Sequence, residues 1–131
     1  MKTLIVEDDF TCRLLLQEIL KEYGPTHVAI NGKEAVEAVR ASLEAGEPYH
    51  LITMDVMMPE MDGQAALKLI RQLEDDRGMA SIHGAKVIMT TTMDDSGNIL
   101  GAFKSACDAY LIKPVDKEKL LGYVKAFGFI E

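Results

Sequence analysis

The stretch LITM–DVMMPEMDG, residues 51–54 and 55–63, decides the reading of the fold. Four residues without a charge read as a buried strand, and an acid, Asp55, stands where the strand ends. Pro59 and Gly63 follow within eight residues, and helical periodicity resumes at Gln64. Asp, Pro and Gly are ordinary turn residues, so a plain surface turn is one reading. The other is a reactive carboxylate at the mouth of a parallel sheet.

Working outward, the same grammar recurs. TLIV at 3–6 opens onto Glu7, Asp8 and Asp9, and from Phe10 the apolar residues Leu14, Leu15, Ile19 and Leu20 fall at helical spacing. Tyr23-Gly24-Pro25 stops that helix. THVAI at 26–30 reads as a second strand, and Asn31-Gly32 introduces a helix ended by Gly46 and Pro48. After the helix at 64–73, residues 74–85 read as a polar, glycine-punctuated loop, longer than a minimal connection and most simply a tolerated surface insertion. KVIMTT at 86–91 is a fourth strand, 96–106 a fourth helix and AYLI at 109–112 a fifth strand. Asp116 caps a last helix running to about Gly128, with Leu120, Leu121, Val124 and Phe127 directed inward. Five short apolar strands alternating with five helices predict an α/β protein, its parallel sheet buried on both faces. The expectation is one domain over residues 1–131, with no second domain after the last helix.

Composition narrows the function. The chain has 131 residues, 48% of them hydrophobic, and a net charge of -7. That supports a packed core and argues against a nucleic-acid binder, which needs a basic footprint. Residues 1–95 hold 9 basic and 17 acidic side chains, whereas 96–131 hold 5 and 4, so the acidity lies in the first three quarters. No apolar run reaches the ~18 residues of a membrane span, and the N-terminus turns acidic too soon for a signal peptide. A cytoplasmic location without membrane contact is expected. Cys12 and Cys107 share no metal-like spacing and read as buried thiols. His27, His50 and His83 are scattered and form no metal set.

In open α/β sheets, sites form outside the carboxyl ends of the strands. Glu7 and Asp8 end the first strand, Asp55 the third and Thr91 the fourth, and Lys113 follows the fifth. Close carboxylates repel by roughly 4 kcal/mol per pair at 4 Å in a medium of dielectric about 20. A cation is needed to hold them, and hard oxygen donors suit Mg²⁺, with Mn²⁺ as a substitute. With an ionised Asp as nucleophile, a lysine and a hydroxyl alongside, the set suits in-line phosphoryl transfer to a carboxylate.

LIVEDD at 4–9, MDVMMPEMDG at 54–63, VIMTT at 87–91 and AYLIKP at 109–114, in this order and spacing, resemble the CheY-like receiver domain of two-component response regulators over essentially the whole chain. The resemblance implies a doubly wound, flavodoxin-like (βα)5 fold of strand order 2-1-3-4-5. It implies that Asp55 is the phosphoacceptor, that Asp8 binds Mg²⁺ directly, and that Glu7 does so through water. Asp55 and the backbone carbonyl of Met57 complete the implied metal ligands. Thr91 becomes the switch hydroxyl, Tyr110 the switch aromatic and Lys113 the phosphate-binding lysine, joined to Pro114 by a bond that is cis in the family. The donor would be a sensor histidine kinase or phosphotransfer protein. A downstream protein would read the face made by the fourth helix, fifth strand and last helix.

Three residues beside the implied phosphoryl group are candidates for tuning it. Met57 and Met93 are poor hydrogen-bond partners where a polar side chain would orient the hydrolytic water, so slow autodephosphorylation is expected. Thr92 is larger than the small residue usual after the switch threonine and is expected to have little effect. Two other classes remain: a Mg²⁺-dependent phosphohydrolase with an aspartyl-phosphate intermediate, and a scaffold that is never phosphorylated. The first would place a second Asp two residues after the nucleophile, where Met57 stands. The second is weakened by the full set of reactive residues.

Overall fold

The computed structural model describes residues 1–58, 60–79, 84–92 and 107–131. Five strands, β1 (Thr3–Val6), β2 (Thr26–Ala29), β3 (Leu51–Asp55), β4 (Lys86–Thr91) and β5 (Ala109–Ile112), form one parallel sheet of order β2-β1-β3-β4-β5. Helices α1 (Phe10–Leu20), α2 (Gly32–Glu44), α3 (Gly63–Asp76) and α4 (Lys117–Ala126) lie among the described residues. The fourth helix read at 96–106 and the methionine at 93 fall outside them, as do Pro59 and His83. The strand order reverses direction at β1 and β3, the switch point where α/β sheets leave a crevice.

Successive side chains of a strand point to opposite faces, and the core divides accordingly. Leu4, Val6, Ile52, Met54, Val87 and Met89 face α2 and α3. Ile5, Leu51, Ile88 and Leu111 face the other way, against Leu16, Ile19 and Leu20 of α1 and Leu120 and Val124 of α4. β1 and β3 are buried at every position, as expected. The two edge strands are not: His27 and Val28 of β2 are exposed, and β5 alternates between buried and exposed residues. Each edge has a neighbour on one side only, so the expectation of strands buried on both faces holds for the centre of the sheet alone.

Other boundaries differ for local reasons. Leu14 and Leu15 lie on the solvent side of α1, while Leu16 joins the core. Leu121 and Phe127 are partly buried against the core rather than fully inward. α3 continues to Asp76, past the expected end at Leu73, because Glu74 is buried by its bonds to Arg71 and to the backbone N–H of Ala85. Both cysteines are free and only half-buried.

Each described helix starts on a side-chain cap. Asp9 accepts from Cys12 N at 2.8 Å, Asn31 from Glu34 N at 2.8 Å, Asp62 from Ala65 N at 2.9 Å and Asp116 from Glu118 N at 2.8 Å. Such caps are worth about 1 kcal/mol each and fix where the chain turns from strand into helix. Among the described residues no helix is long and apolar enough to cross a membrane.

Candidate functional site

The C-terminal ends of β1, β3 and β5 bring together the acids and the lysine singled out in the sequence. Glu7, Asp8 and Asp55 each offer a carboxylate oxygen within 4.8 Å of the others. Glu7 is fully buried and Asp55 is 5% exposed, whereas Asp8 faces solvent. Lys113 Nζ reaches across from the end of β5 to Glu7 Oε1 at 2.7 Å and Asp55 Oδ2 at 3.2 Å. The Lys113-Pro114 bond is cis. The lysine backbone is tied to the sheet by its N–H, which donates to Thr91 O at 2.7 Å.

The turn after β3 is equally constrained. Val56 N donates to Thr90 O at 3.0 Å, and Met57 N lies 3.3 Å from Asp55 Oδ1 as a long hydrogen bond. Gly63 N donates back to Val56 O at 2.9 Å, and a Cβ on Gly63 would lie 2.5 Å from the Asp55 carbonyl oxygen. Glycine is therefore required for α3 to start this close to the acid. Met57 itself is 59% exposed, leaving its side chain at the mouth of the site.

Charge is out of balance here, and protonation shows it. Burial and the neighbouring Glu7 push the Asp55 carboxyl up to about 7, with Lys113 pulling the other way. Burial also raises Glu7, but Lys113, Asp55 and the N–H of Asp9 outweigh it and hold Glu7 below its ordinary 4.5. Burial opposes the charge on Lys113, yet the two carboxylates keep its pKa raised. The raised Asp55 carboxyl beside the lowered Glu7 marks an excess of negative charge that a divalent cation would relieve. Oxygen donors alone, one of them open to water, suit Mg²⁺, which retains several water ligands.

Thr91 is buried at the end of β4, and its hydroxyl donates to the carbonyl of Thr92 at 3.3 Å rather than to Asp55. Thr92 is exposed. Tyr110 is 44% exposed, at a solvent-facing position of β5. Three contributors had no signal in the residue spacing. Asp9 N donates to Glu7 Oε2 at 3.2 Å, Arg13 Nη1 donates to Glu7 O at 3.2 Å, and Cys12 lies near enough to Glu7 that burial and this charge push its thiol up to about 11. Each depends on the tight turn from β1 into α1, which sequence spacing does not specify.

A five-stranded parallel sheet of this order, with an acid triad and a lysine at its switch point, defines a flavodoxin-like receiver architecture. The chain belongs to the response regulator receiver domain family, whose model matches residues 3–125. It is 31% identical over 122 residues to the chemotaxis protein CheY of Bacillus subtilis, covering 92% of this chain and 91% of that protein. It is 32% identical over 122 residues to the osmosensing histidine protein kinase SLN1 of Saccharomyces cerevisiae, covering 92% of this chain but only 9% of the kinase. The chain thus spans nearly all of the one relative and about a tenth of the other. Among solved structures, the receiver domain of yeast Ssk1, crystallised with the histidine phosphotransfer protein Ypd1, matches with a TM-score of 0.80 at 29% identity, covering 98% of this chain and 88% of that one. The Francisella response regulator 1452 receiver domain matches with a TM-score of 0.73 at 30% identity, covering 96% and 94%.

Proposed function

We propose that this receiver domain accepts a phosphoryl group on Asp55 from a sensor histidine kinase or a histidine phosphotransfer protein, and passes the signal on by a protein contact. The observation that carries the reading is the buried pair of Glu7 and Asp55 bridged by Lys113, with Asp8 beside them in water. The relatives support the partner class, since one is a histidine kinase and another receiver was crystallised with a phosphotransfer protein.

Asp8, Asp55 and the Met57 carbonyl would hold Mg²⁺ or Mn²⁺ directly, and Glu7 through water. When bound, the cation neutralises charge on the transferring group and keeps Asp55 ionised. Asp55 attacks phosphorus as the carboxylate; a P–O bond forms to it while the P–N bond of the donor histidine breaks, leaving a neutral imidazole. Lys113, already paired with Asp55, stabilises the charge on the incoming oxygens. The Met57 N–H fixes the orientation of the acceptor carboxylate. The domain promotes only its own phosphorylation and hydrolysis, not turnover of an outside substrate.

The output follows from Thr91 and Tyr110. Once phosphoryl oxygens stand beside Asp55, the Thr91 hydroxyl exchanges its long bond to Thr92 O for one to the phosphoryl group. Tyr110 then turns from solvent into the space behind it. The face that changes contains Tyr110, Ile112 and Tyr123, which line a cavity of about 570 Å³ with Pro114, Asp116 and Lys119. A downstream protein docks on this face, in a cytoplasmic setting; an interface mapped only to α1 and α2 would contradict it.

Incubation with acetyl phosphate and Mg²⁺, read by intact mass, tests the central step. A single phosphate adduct is expected, absent without Mg²⁺ and absent in Asp55→Asn. Persistence of the adduct in Asp55→Asn would overturn the assignment, and repeated turnover of a phosphomonoester would favour a phosphohydrolase. Met57→Asn should hasten loss of that adduct about tenfold by supplying a hydrogen-bond partner for the attacking water. An unchanged decay would remove Met57 as a tuning residue.

A further inference from the structure

The turn between β2 and α2 meets the turn after β3 through a backbone contact that depends on a glycine. Asn31 Oδ1 accepts from Glu34 N at 2.8 Å, and Glu34 Oε1 accepts in return from Ile30 N at 3.0 Å. This reciprocal pair fixes the backbone on both sides of Gly32 and satisfies the Glu34 N–H, one of the open donors at the start of α2, together with the N–H of Ile30 just before the cap. The N–H of Gly32 is another such donor. It gives its hydrogen to Met61 O at 3.1 Å.

Gly32 is buried, and a Cβ built on it would overlap the Met61 carbonyl oxygen while lying 3.0 Å from both the Met61 carbonyl carbon and its Cβ. Its φ is not in the left-handed region, so the demand for glycine is one of space, not of torsion. Met61 stands in the turn that starts at Asp55 and closes at Gly63. The bonds of Val56 N to Thr90 O and Gly63 N to Val56 O hold that turn from within the β3, β4 and α3 framework. Gly32 holds it from α2, on the other side.

We propose that Gly32 is a positioning residue for the metal and phosphoacceptor site, its N–H and bare Cα setting where the Met61 carbonyl, and hence the turn carrying Met57, can lie. The proposal rests on the reading of Asp8, Asp55 and the Met57 carbonyl as a divalent-cation site. Such sites tolerate only about 0.5 Å of misplacement, and removal of a supporting contact outside the ligand shell typically costs 10–100-fold in metal affinity.

The test is Mn²⁺ binding to the full chain, followed by electron paramagnetic resonance, in wild type, Gly32→Ala and Gly46→Ala. Gly46 has φ +72° and open space around it, so alanine there strains the fold away from the site and serves as a control for lost stability. Urea midpoints place the variants on a common scale. Gly32→Ala is expected to bind Mn²⁺ at least about tenfold more weakly, with Gly46→Ala within twofold of wild type. Equal affinity in Gly32→Ala and wild type would overturn the proposal, as would equal weakening in both variants.

Should Gly32→Ala fail to fold, amide hydrogen exchange of the wild type decides, because coupling between the cation and this contact is reciprocal. Mg²⁺ must then slow exchange of the Gly32 N–H, and unchanged protection would overturn the proposal. Wild type that binds no Mn²⁺ would overturn the cation site itself, a result distinct from loss of the Gly32 effect.

Discussion

Two clusters of charge sit at opposite ends of the same sheet, and they are built on opposite terms. At the N-terminal ends of β4 and β5, Arg71 donates to Glu74 Oε1 at 2.8 Å, to Ala85 O at 2.8 Å and to Asp108 Oδ2 at 3.1 Å. The backbone N–H groups of Ala85 and Val87 complete the carboxylates, at 2.7 and 2.8 Å, and Lys86 stands 3.7 Å from Asp108. Two acids there meet two bases. At the C-terminal ends, Lys113 pairs with Glu7 and Asp55, and a third acid, Asp8, stands within 4.8 Å of those carboxylates. Removing a partner from a matched buried charge is costly, whereas an excess of one sign is characteristic of functional sites. The first cluster is architecture, and the second is the site proposed to take a cation.

The sharpest way to break this contrast is to unbalance the matched cluster. Arg71→Met leaves Glu74, which is 4% exposed, without its cation and frees Asp108 from one partner. Loss of one member of a buried pair costs about 3 kcal/mol or more. A loss of unfolding free energy of that size, read from urea unfolding, is expected, with Mn²⁺ affinity at the other end of the sheet within twofold of wild type. A stable Arg71→Met variant would show that the network contributes little, and weakened Mn²⁺ binding would show that the two ends are coupled.

The difference also explains what could be read from the sequence. Glu7, Asp8, Asp55, Thr91 and Lys113 each follow an apolar strand, so one rule about sheet edges gathers them before any coordinates exist. The matched cluster obeys no such rule. Arg71 and Asp108 are 37 residues apart, and Glu74 read as the first residue of a polar loop. Glu74 is instead the end of α3, turned inward by partners that tertiary folding brings to it. The Gly32 contact was hidden for the same reason: Asn31-Gly32 announces a helix start, but nothing local says that another turn will lie against it. Edge strands misled in a third way, because Val28 and Ile112 are as apolar as central residues yet 37% and 39% exposed. Apolar sequence specifies a strand and not its place in the sheet.

A finer test titrates the unbalanced cluster. Asp55 ionises near 3.8 in an unfolded chain and at about 7 in the metal-free fold. Above about pH 7 the carboxylate is charged in both states, and the fold bears the full cost of burying it. As pH falls from about 7 towards 4, the folded state takes up a proton that the unfolded state lacks, so stability rises by at most about 1.4 kcal/mol per pH unit. Glu7 works in the opposite sense, since its lowered value adds stability above 4.5 that is lost as pH drops below it, outside most of this window. The other ionisable groups shift the whole curve, but they are shared with Asp55→Asn, which cannot titrate at this position. The difference between the two stability curves, measured by urea unfolding from pH 5 to 8 in chelator, should therefore slope in favour of wild type as pH falls. At pH 8 Asp55→Asn should be the more stable protein, because it escapes the buried charge. Parallel curves would mean that Asp55 carries no uncompensated charge, and the two ends of the sheet would no longer differ in kind.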